Sequence, residues 1–596
     1  MNGAAMKNTT SVVTWISVAC ASAWAQATTR VSVDSGGTQG NNLSQQVSMS
    51  ADGGVVAFES YASNLVPADT NGFPDVFVHE MVNGSTTRVS VDSNGMQANN
   101  GSYDPVISSD GRWVAFMSIA TNLVPGDTNG FQDVFVHDRL TGATTRVSVD
   151  SGGTQANGLS VLPSISSDGR YVSFESAATN LVPGDTNGFR DIFVRDRVSG
   201  MTTRASLASS GAQGNGYSAY SAISADGRYV AFYSEATNLV PGDTNGFGDV
   251  FVHDMVTGTT TRVSVSSNGA QGNGGSAFPA ISADGRYVAF WSHASNLVLG
   301  DTNGANDVFV HDMVNGSTTR VSVDSHGVQD NGETNADPFE PSLSFDGRYV
   351  AFTSFATNLV PGDTNADYDV FLHDMLSGST VRVSVDSSGT QGNGGSYYST
   401  VSSDGRYVAF ASGANNLIPG DTNGYADVFV RDSGAASAFT SLCFGDGTGG
   451  ICPCGNSGSS GHGCENSAAT GGAILTATGN ASLSADTVQL HSSGELPTAL
   501  SIIFQGGTVV APTTFGDGLR CAGGTLKRLY VKGASGGSIT APQTGDPSIS
   551  MRSATLGDPI SLGATRTYQV YYHDANLVFC PGGFNASGAV AIAWGS

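Results

Sequence analysis

The stretch "ISADGRYVAFYSEATNLVPGDTNGFGDVFVHDMVTGTTTRVS" (Ile223–Ser264) decides how this chain folds, because versions of it return along most of the sequence. A "TTRVSVDS" run, with small variations, begins at Thr28, Thr86, Thr144, Thr202, Thr260, Thr318 and Thr380. An Asp-Gly turn recurs at Asp52, Asp110, Asp168, Asp226, Asp284, Asp346 and Asp404. The period is 58 residues and stretches to 62 only between Asp284 and Asp346. Self-similarity at such a period marks a solenoid, a propeller or an array.

Strand signals choose among these. In the second unit four short runs are rich in Val, Ile, Phe or Thr: Pro105–Ser109, Trp113–Ser118, Asp133–Asp138 and Thr144–Asp150, here named strands a, b, c and d. Turn residues separate them, and no helical period is present. Four antiparallel strands per unit make a propeller blade. The ends of the array predict how the ring closes. A lone d-type strand, Thr28–Asp34, precedes the first unit, and the last unit stops after strand c, Asp427–Asp432. The expected fold is therefore all-β: a seven-bladed propeller over residues 28–432, sealed when the N-terminal strand completes the last blade, with no sheet edge left open.

The residues Asp226, Gly227, Ala231, Phe232, Asp249, Val250, Phe251 and Asp254, with equivalents in every unit, resemble the PD40, or TolB-like, propeller repeat: an Asp-Gly hairpin, an Ala-Phe strand and an Asp-hydrophobic strand ending in Asp. The resemblance spans Thr28 to Asp432 and implies the fold more than an activity. The tail "CFGDGTGGICPCGNSGSSGHGCENS" with "FGDGLRC" resembles a Cys-rich module of exported proteins from Planctomycetes-like bacteria.

Composition narrows the partners. Fifty acidic residues face 25 Lys and Arg, a formal charge of -25, with lysine only at positions 7, 527 and 532. Such a surface repels phosphate backbones, so nucleic acid is excluded as a partner. Lys7, the apolar run from Ser11 to Ala25 and the small residues around Ala25 and Ala27 read as a signal peptide over residues 1–25, and no later segment is apolar enough to span a membrane. The expected location is secreted or cell-surface, with the periplasm as a variant. Cleavage leaves Cys443, Cys452, Cys454, Cys464, Cys521 and Cys580, all beyond the repeats. An even count in an exported chain points to disulfides; zinc held by Cys452, Cys454, His462 and Cys464 is the alternative. After a linker over 433–440, six strand-like runs predict a small disulfide-bonded β-sandwich over 441–596.

Blade geometry places the long b–c and d–a connections on one face, the loop face, and the a–b and c–d turns on the other, the turn face. Long, patterned loops on a rigid scaffold are where binding sits. Each b–c loop carries "DTNGFxD" or a variant, so Asp69, Asn71 and Asp75; Asp127, Asn129 and Asp133; Asp185, Asn187 and Asp191; Asp243, Asn245 and Asp249; Asp301, Asn303 and Asp307; Asp363, Asn365 and Asp369; and Asp421, Asn423 and Asp427 are candidate calcium ligands. Hard oxygen donors at alternate positions around a turn suit Ca²⁺. The competing structural reading is an Asx turn with the last Asp capping strand c. On the turn face, the "DGR" arginines are expected to pair with the Asp ending strand c, as Arg112 with Asp138. His79, His137, His253, His311 and His373 are read as strand-end surface residues.

No catalytic residue is assigned. The expected function is a non-catalytic scaffold for binding or display, monomeric, with an extracellular protein or glycan as partner and calcium as the one cofactor considered. The alternative is a glycan-acting hydrolase with a C-terminal binding module. An enzyme would break the sevenfold sameness with unique side chains in one cleft, and the longer loop Asp330–Pro341, with Asp330, Glu333, Asp337 and Glu340, is the main such break.

Overall fold

The computed structural model describes residues 26–332, 340–433 and 439–442, then 452, 462–464, 466–467, 470–478, 481, 486–515, 518–543, 545–561, 564–574 and 584–594. Residues 26–432 form seven four-stranded antiparallel sheets. The second blade is Ser102–Ile107, Trp113–Ser118, Asp133–Asp138 and Thr144–Arg146, and the others repeat it. The seventh blade draws Ser396–Val401, Tyr407–Ser412 and Asp427–Asp432 from the last unit and Thr28–Arg30 from the chain start. Thr28 pairs with Arg431, Thr29 with Val430 and Arg30 with Phe429, so the predicted closure holds in its strand and in its direction.

Strands b and c are apolar on both faces because each blade is covered by a neighbour on each side. Val230, Ala231 and Phe232 in strand b, and Val250 and Phe251 in strand c, are fully buried. Phe232 and Phe251 stack at 5.9 Å, a pair that recurs in every blade. Each apolar cluster spans two blades. Val31, Phe58 and Phe77 pack with Ala409, Val428 and Val430, which joins the first blade to the seventh. Burying one such phenylalanine contributes about 3–5 kcal/mol against alanine.

Two polar devices lock the stack. On the turn face a hoop of hydrogen bonds runs from blade to blade: Ala51 N–H to Ser109 O (3.0 Å), Ser167 N–H to Ala225 O (3.0 Å), Ala225 N–H to Ala283 O (3.0 Å), and finally Ser403 N–H to Ala51 O (2.8 Å). Glycine is required in these turns. Gly227 has φ +74°, and a Cβ there would lie 2.1 Å from Tyr171 of the preceding blade. The second device is the Arg–Asp pair expected from sequence: Arg112 Nε and Nη2 each donate to Asp138 at 2.8 Å, with Arg112 over the Trp113 ring. The pairing holds Asp138 well below the usual carboxylate range.

The histidines require a correction. His79, His137, His253, His311 and His373 are buried, not surface-exposed. Strand c is an interior strand, and its end is covered by the d strand of its own blade. Thr144 Oγ1 donates to Val91 O in the neighbouring blade at 2.5 Å, which uses its only proton. His137 Nδ1, 2.9 Å from the same oxygen, must therefore be the donor. Burial pushes the imidazole pKa down, so the ring stays neutral.

The C-terminal module contains all six expected strands and adds others. One sheet orders Phe439–Leu442, Phe584–Ala593, Thr565–His573, Leu500–Gly506 and Lys527–Gly533; a second orders Ile474–Thr478, Gln489–Ser493 and Ile539–Ala541. Phe439 pairs with Ile592, so the first sheet takes in the end of the stretch read as linker. Cys452 and Cys464 form a disulfide with Cα atoms 5.8 Å apart, and Cys521 is also disulfide-bonded. Two of the four atoms of the alternative zinc set are thus consumed, and His462 Nδ1 bonds Gly472 O at 2.7 Å. Cys443, Cys454, Cys580 and residues 1–25, the stretch expected to be a signal peptide, lie outside the described residues.

Candidate functional site at the mouth of the central channel

The b–c loops were the leading candidates, and the structure brings each triad together around an arginine that sequence reasoning left unassigned. In the second unit Arg146 of strand d reaches Asp127 (3.1 Å) and Asp133 (3.2 Å). Asp133 also accepts from Ser148 Oγ at 2.5 Å and from Asn129 Nδ2 at 2.9 Å. Asn129 Oδ1 accepts the Phe131 N–H at 3.1 Å, an Asx turn. The same fork recurs as Arg88 on Asp69 and Asp75, Arg204 on Asp185 and Asp191, and Arg262 on Asp243 and Asp249. Arg320 holds Asp301 and Asp307, Arg382 holds Asp363 and Asp369, and Arg30 of the closing strand holds Asp421 and Asp427. Two carboxylates already bridged by a guanidinium, with the asparagine oxygen turned onto the backbone, form a donor set that does not fit a calcium ion. Among the described residues no group of three or more His, Cys, Asp or Glu is arranged to hold a metal.

Chemistry specific to single blades lies elsewhere. Strand c and most of strand b repeat almost without change, but strand a varies, and one position at or just before it carries Gln46, Asp104, Leu162, Tyr220, Phe278, Glu340 and Tyr398. Strand a is interrupted there by a bulge, and six of these residues have a left-handed backbone, with φ from +47° at Asp104 to +56° at Tyr398. A bulge re-aims its side chain, and left-handed residues other than glycine are strained. Here they turn large side chains toward the propeller axis. Tyr220 and Phe278, from adjacent blades, lie 4.3 Å apart between ring centres. The charges of Asp104 and Glu340, on blades two and six, raise the Tyr398 hydroxyl of blade seven. Glu340 likewise raises Tyr220 of blade four. Groups on blades this far apart around the ring meet only at its axis.

A second ring surrounds the first at the loop-face end of strand b, again varied from blade to blade, with only Glu used twice: Glu59, Met117, Glu175, Tyr233, Trp291, Thr353 and Ala411. Glu175 is fully buried; its Oε1 accepts from Arg190 Nη1 (2.5 Å) and Tyr217 Oη (3.2 Å). Tyr217 and Tyr233 meet edge to face at 6.3 Å. Burial pushes the Glu59 carboxyl to about 7, with the Asp104 charge adding to it. Burial likewise lifts Asp104 to about 6, and Glu340, surrounded by the channel walls though reached by solvent, is raised to about 7 with the Asp104 charge adding to it. The mouth is thus an aromatic funnel carrying Glu175 with its arginine and three carboxyls, Glu59, Asp104 and Glu340, that have no paired cation among the described residues.

No family model matches this chain, and no curated protein does. Solved structures similar to it include TolB from Acinetobacter baumannii, at 15% identity over 57% of this chain and 63% of that one, with a TM-score of 0.33. An oligogalacturonate lyase from Vibrio parahaemolyticus is 13% identical over 68% and 93%, with a TM-score of 0.41. The propeller domain of the Trilobed protease from Pyrococcus furiosus is 11% identical over 66% and 96%, also at 0.41. This chain spans 63% of the TolB length. At these identities the likenesses concern fold and leave activity open.

The long-loop residues divide. Glu340 occupies the channel position of blade six. Asp330 stands where the other units have Gly or Ala; it is buried, accepts from Asn303 Nδ2 at 2.7 Å, and burial raises it to about 8. Glu333 and Asp337 lie outside the described residues. The other channel residues escaped sequence reasoning because attention followed what repeats. Their signal was the failure to repeat at fixed positions in strands a and b.

Proposed function

We propose that this protein is an exported binding propeller whose recognition site is the mouth of the central channel on the loop face, with an extracellular glycan or protein as ligand. One observation carries the reading: side chains differ from blade to blade in two rings around the axis, while the framework around them is repeated almost unchanged. A display lattice needs only the framework; side chains specific to each blade at one opening suit a ligand without sevenfold symmetry. The signal-like N-terminus and the Cys452–Cys464 disulfide support export into an oxidising compartment. The repeated b–c loops serve as arginine-centred braces, with the guanidinium in the role considered for calcium.

The test is an array of glycans and extracellular proteins probed with the full chain, then with Tyr398→Ala and with the turn-face control Val256→Ser. Ligands should be lost with Tyr398→Ala and kept with the control. Ligands indifferent to Tyr398→Ala place recognition elsewhere and reject the channel site. A second reading, glycan hydrolysis, draws on Asp104 and Glu340, two carboxyls held near neutrality in one channel. Release of new reducing ends that stops with Asp104→Asn would establish it in place of simple binding.

A further inference from the structure

The mouth of the channel is built for a positive charge that the chain does not supply. Asp104, Glu340 and Glu59 converge there from blades two, six and one. The nearest guanidinium in the second ring, Arg190, is spent on Glu175. Elsewhere in the propeller, buried carboxylates at repeated positions do have a cation, as Asp133 has Arg146 and Asp138 has Arg112. The contrast lies within one molecule.

A second observation points the same way. Glu175 Oε2, Ser399 Oγ and Thr353 Oγ1 are buried with no hydrogen-bond partner. Ser399 is only 8% exposed and follows the channel residue Tyr398, while Glu175 and Thr353 belong to the second ring. Unmatched polar atoms are costly where they stand, at about 1–3 kcal/mol each. Glu175 and Thr353 stand in the second ring on blades three and six, where hydrogen-bond partners are missing, whereas Ser399 occupies the position from which Ser221 bonds Ser173 of the neighbouring blade. Between them stand aromatic faces, Tyr220 against Phe278 and Tyr397 edge-on to Tyr398 at 5.3 Å. Flat apolar faces beside hydrogen-bonding groups suit a pyranose, whose C–H face stacks while its hydroxyls bond.

We propose that the channel mouth binds an amine-bearing glycan, with sugar faces on Tyr220, Phe278 and Tyr398 and the ammonium group between Asp104 and Glu340. This rests on the channel being the recognition site. The carboxyls of Asp104, Glu340 and Glu59 lie near neutrality, so they accept protons as the pH falls through 7 toward 5 and lose the charge that holds the amine. Glu175, tied to Arg190, contributes little net charge to the opening.

The test is titration calorimetry of the full chain with a glucosamine tetramer and its N-acetylated counterpart. At pH 7 the free amine should bind about tenfold more tightly. That preference should vanish in Asp104→Asn/Glu340→Gln and shrink at pH 5, while the melting temperature of the variant does not fall. Glu340→Gln alone should halve the effect or more, which guards against misfolding of the double variant. Equal binding of the two tetramers, or a preference that survives in the double variant, overturns the amine assignment and leaves the channel as a site for neutral sugars. Binding of a tetralysine peptide with the same dependence, and of neither sugar, overturns the glycan in favour of a basic protein segment. Array ligands insensitive to Tyr398→Ala would instead remove the channel site itself.

Discussion

The framework of each blade and the mouth of the channel are built on opposite plans. In the framework the same side chains are used in each unit and almost every charge is answered: Arg146 by Asp127 and Asp133, Arg112 by Asp138, Thr144 by Val91 O. At the mouth, seven units offer six different residue types at one position, and Glu59, Asp104 and Glu340 stand without an ion pair among the described residues. The difference teaches where selection for folding ends. Repetition costs nothing in a stack whose blades bury one another, whereas a ligand lacking sevenfold symmetry has to be met by residues that differ.

The comparison can be broken most severely at the joint. Removing the residues up to Ser32 takes away the last strand of blade seven and Arg30 from Asp421 and Asp427, so the melting temperature should fall by about 10 °C or more, read by calorimetry. Next comes the buried brace. Asp133→Ala leaves Arg146 facing Asp127 alone and should cost about 3–5 kcal/mol in urea unfolding, a penalty that no substitution at Gln46 or Leu162 should approach. The two regions also pull the pH profile in opposite directions. Asp138, Asp196 and Asp254 are depressed by their arginines, so their contribution is full above the ordinary carboxylate range and is lost as pH drops below it. Glu59, Asp104 and Asp330 are raised, so they cost the fold nothing below the ordinary carboxylate range and destabilise it increasingly as pH rises through about 6–8. Melting temperature should therefore be higher at pH 6 than at pH 8, and Asp104→Asn should flatten that slope. A smaller effect is expected from the half-exposed Arg112: Arg112→Gln should cost roughly 0.5–1 kcal/mol. Smallest of all, millimolar calcium or a chelator should leave the melting temperature unchanged, since the arginines already fill the b–c loops; a rise with calcium would reject the brace reading.

Much of the framework was legible because it repeats. Seven d strands and seven a-b-c triplets, offset so that a lone d strand leads and a triplet without one ends the array, predict the closure that the pairing of Thr28 with Arg431 shows. The Arg112–Asp138 pair was legible for the same reason. His137 was misread because a strand end in sequence looks exposed, while its neighbour Thr144 and the d strand cover it. The calcium motif misled because local spacing cannot show that Arg146, thirteen residues beyond Asp133, folds back between the acids. The site was half legible. The four-residue stretch of the sixth unit drew attention to Glu340, but nothing local announced that it shares an axis with Asp104, more than two hundred residues away.

The closing joint has a consequence for how such a gene can change. Blades one to six each take their four strands from one continuous stretch of chain, and only blade seven joins the two ends. An in-frame loss or gain of 58 residues leaves both halves of the joint intact, and Thr28 still finds a strand ending in Val-Phe-Val-Arg. Copy number in this lineage is free to drift while the seam stays the same, and each such event hands the opening at the centre a new combination of side chains.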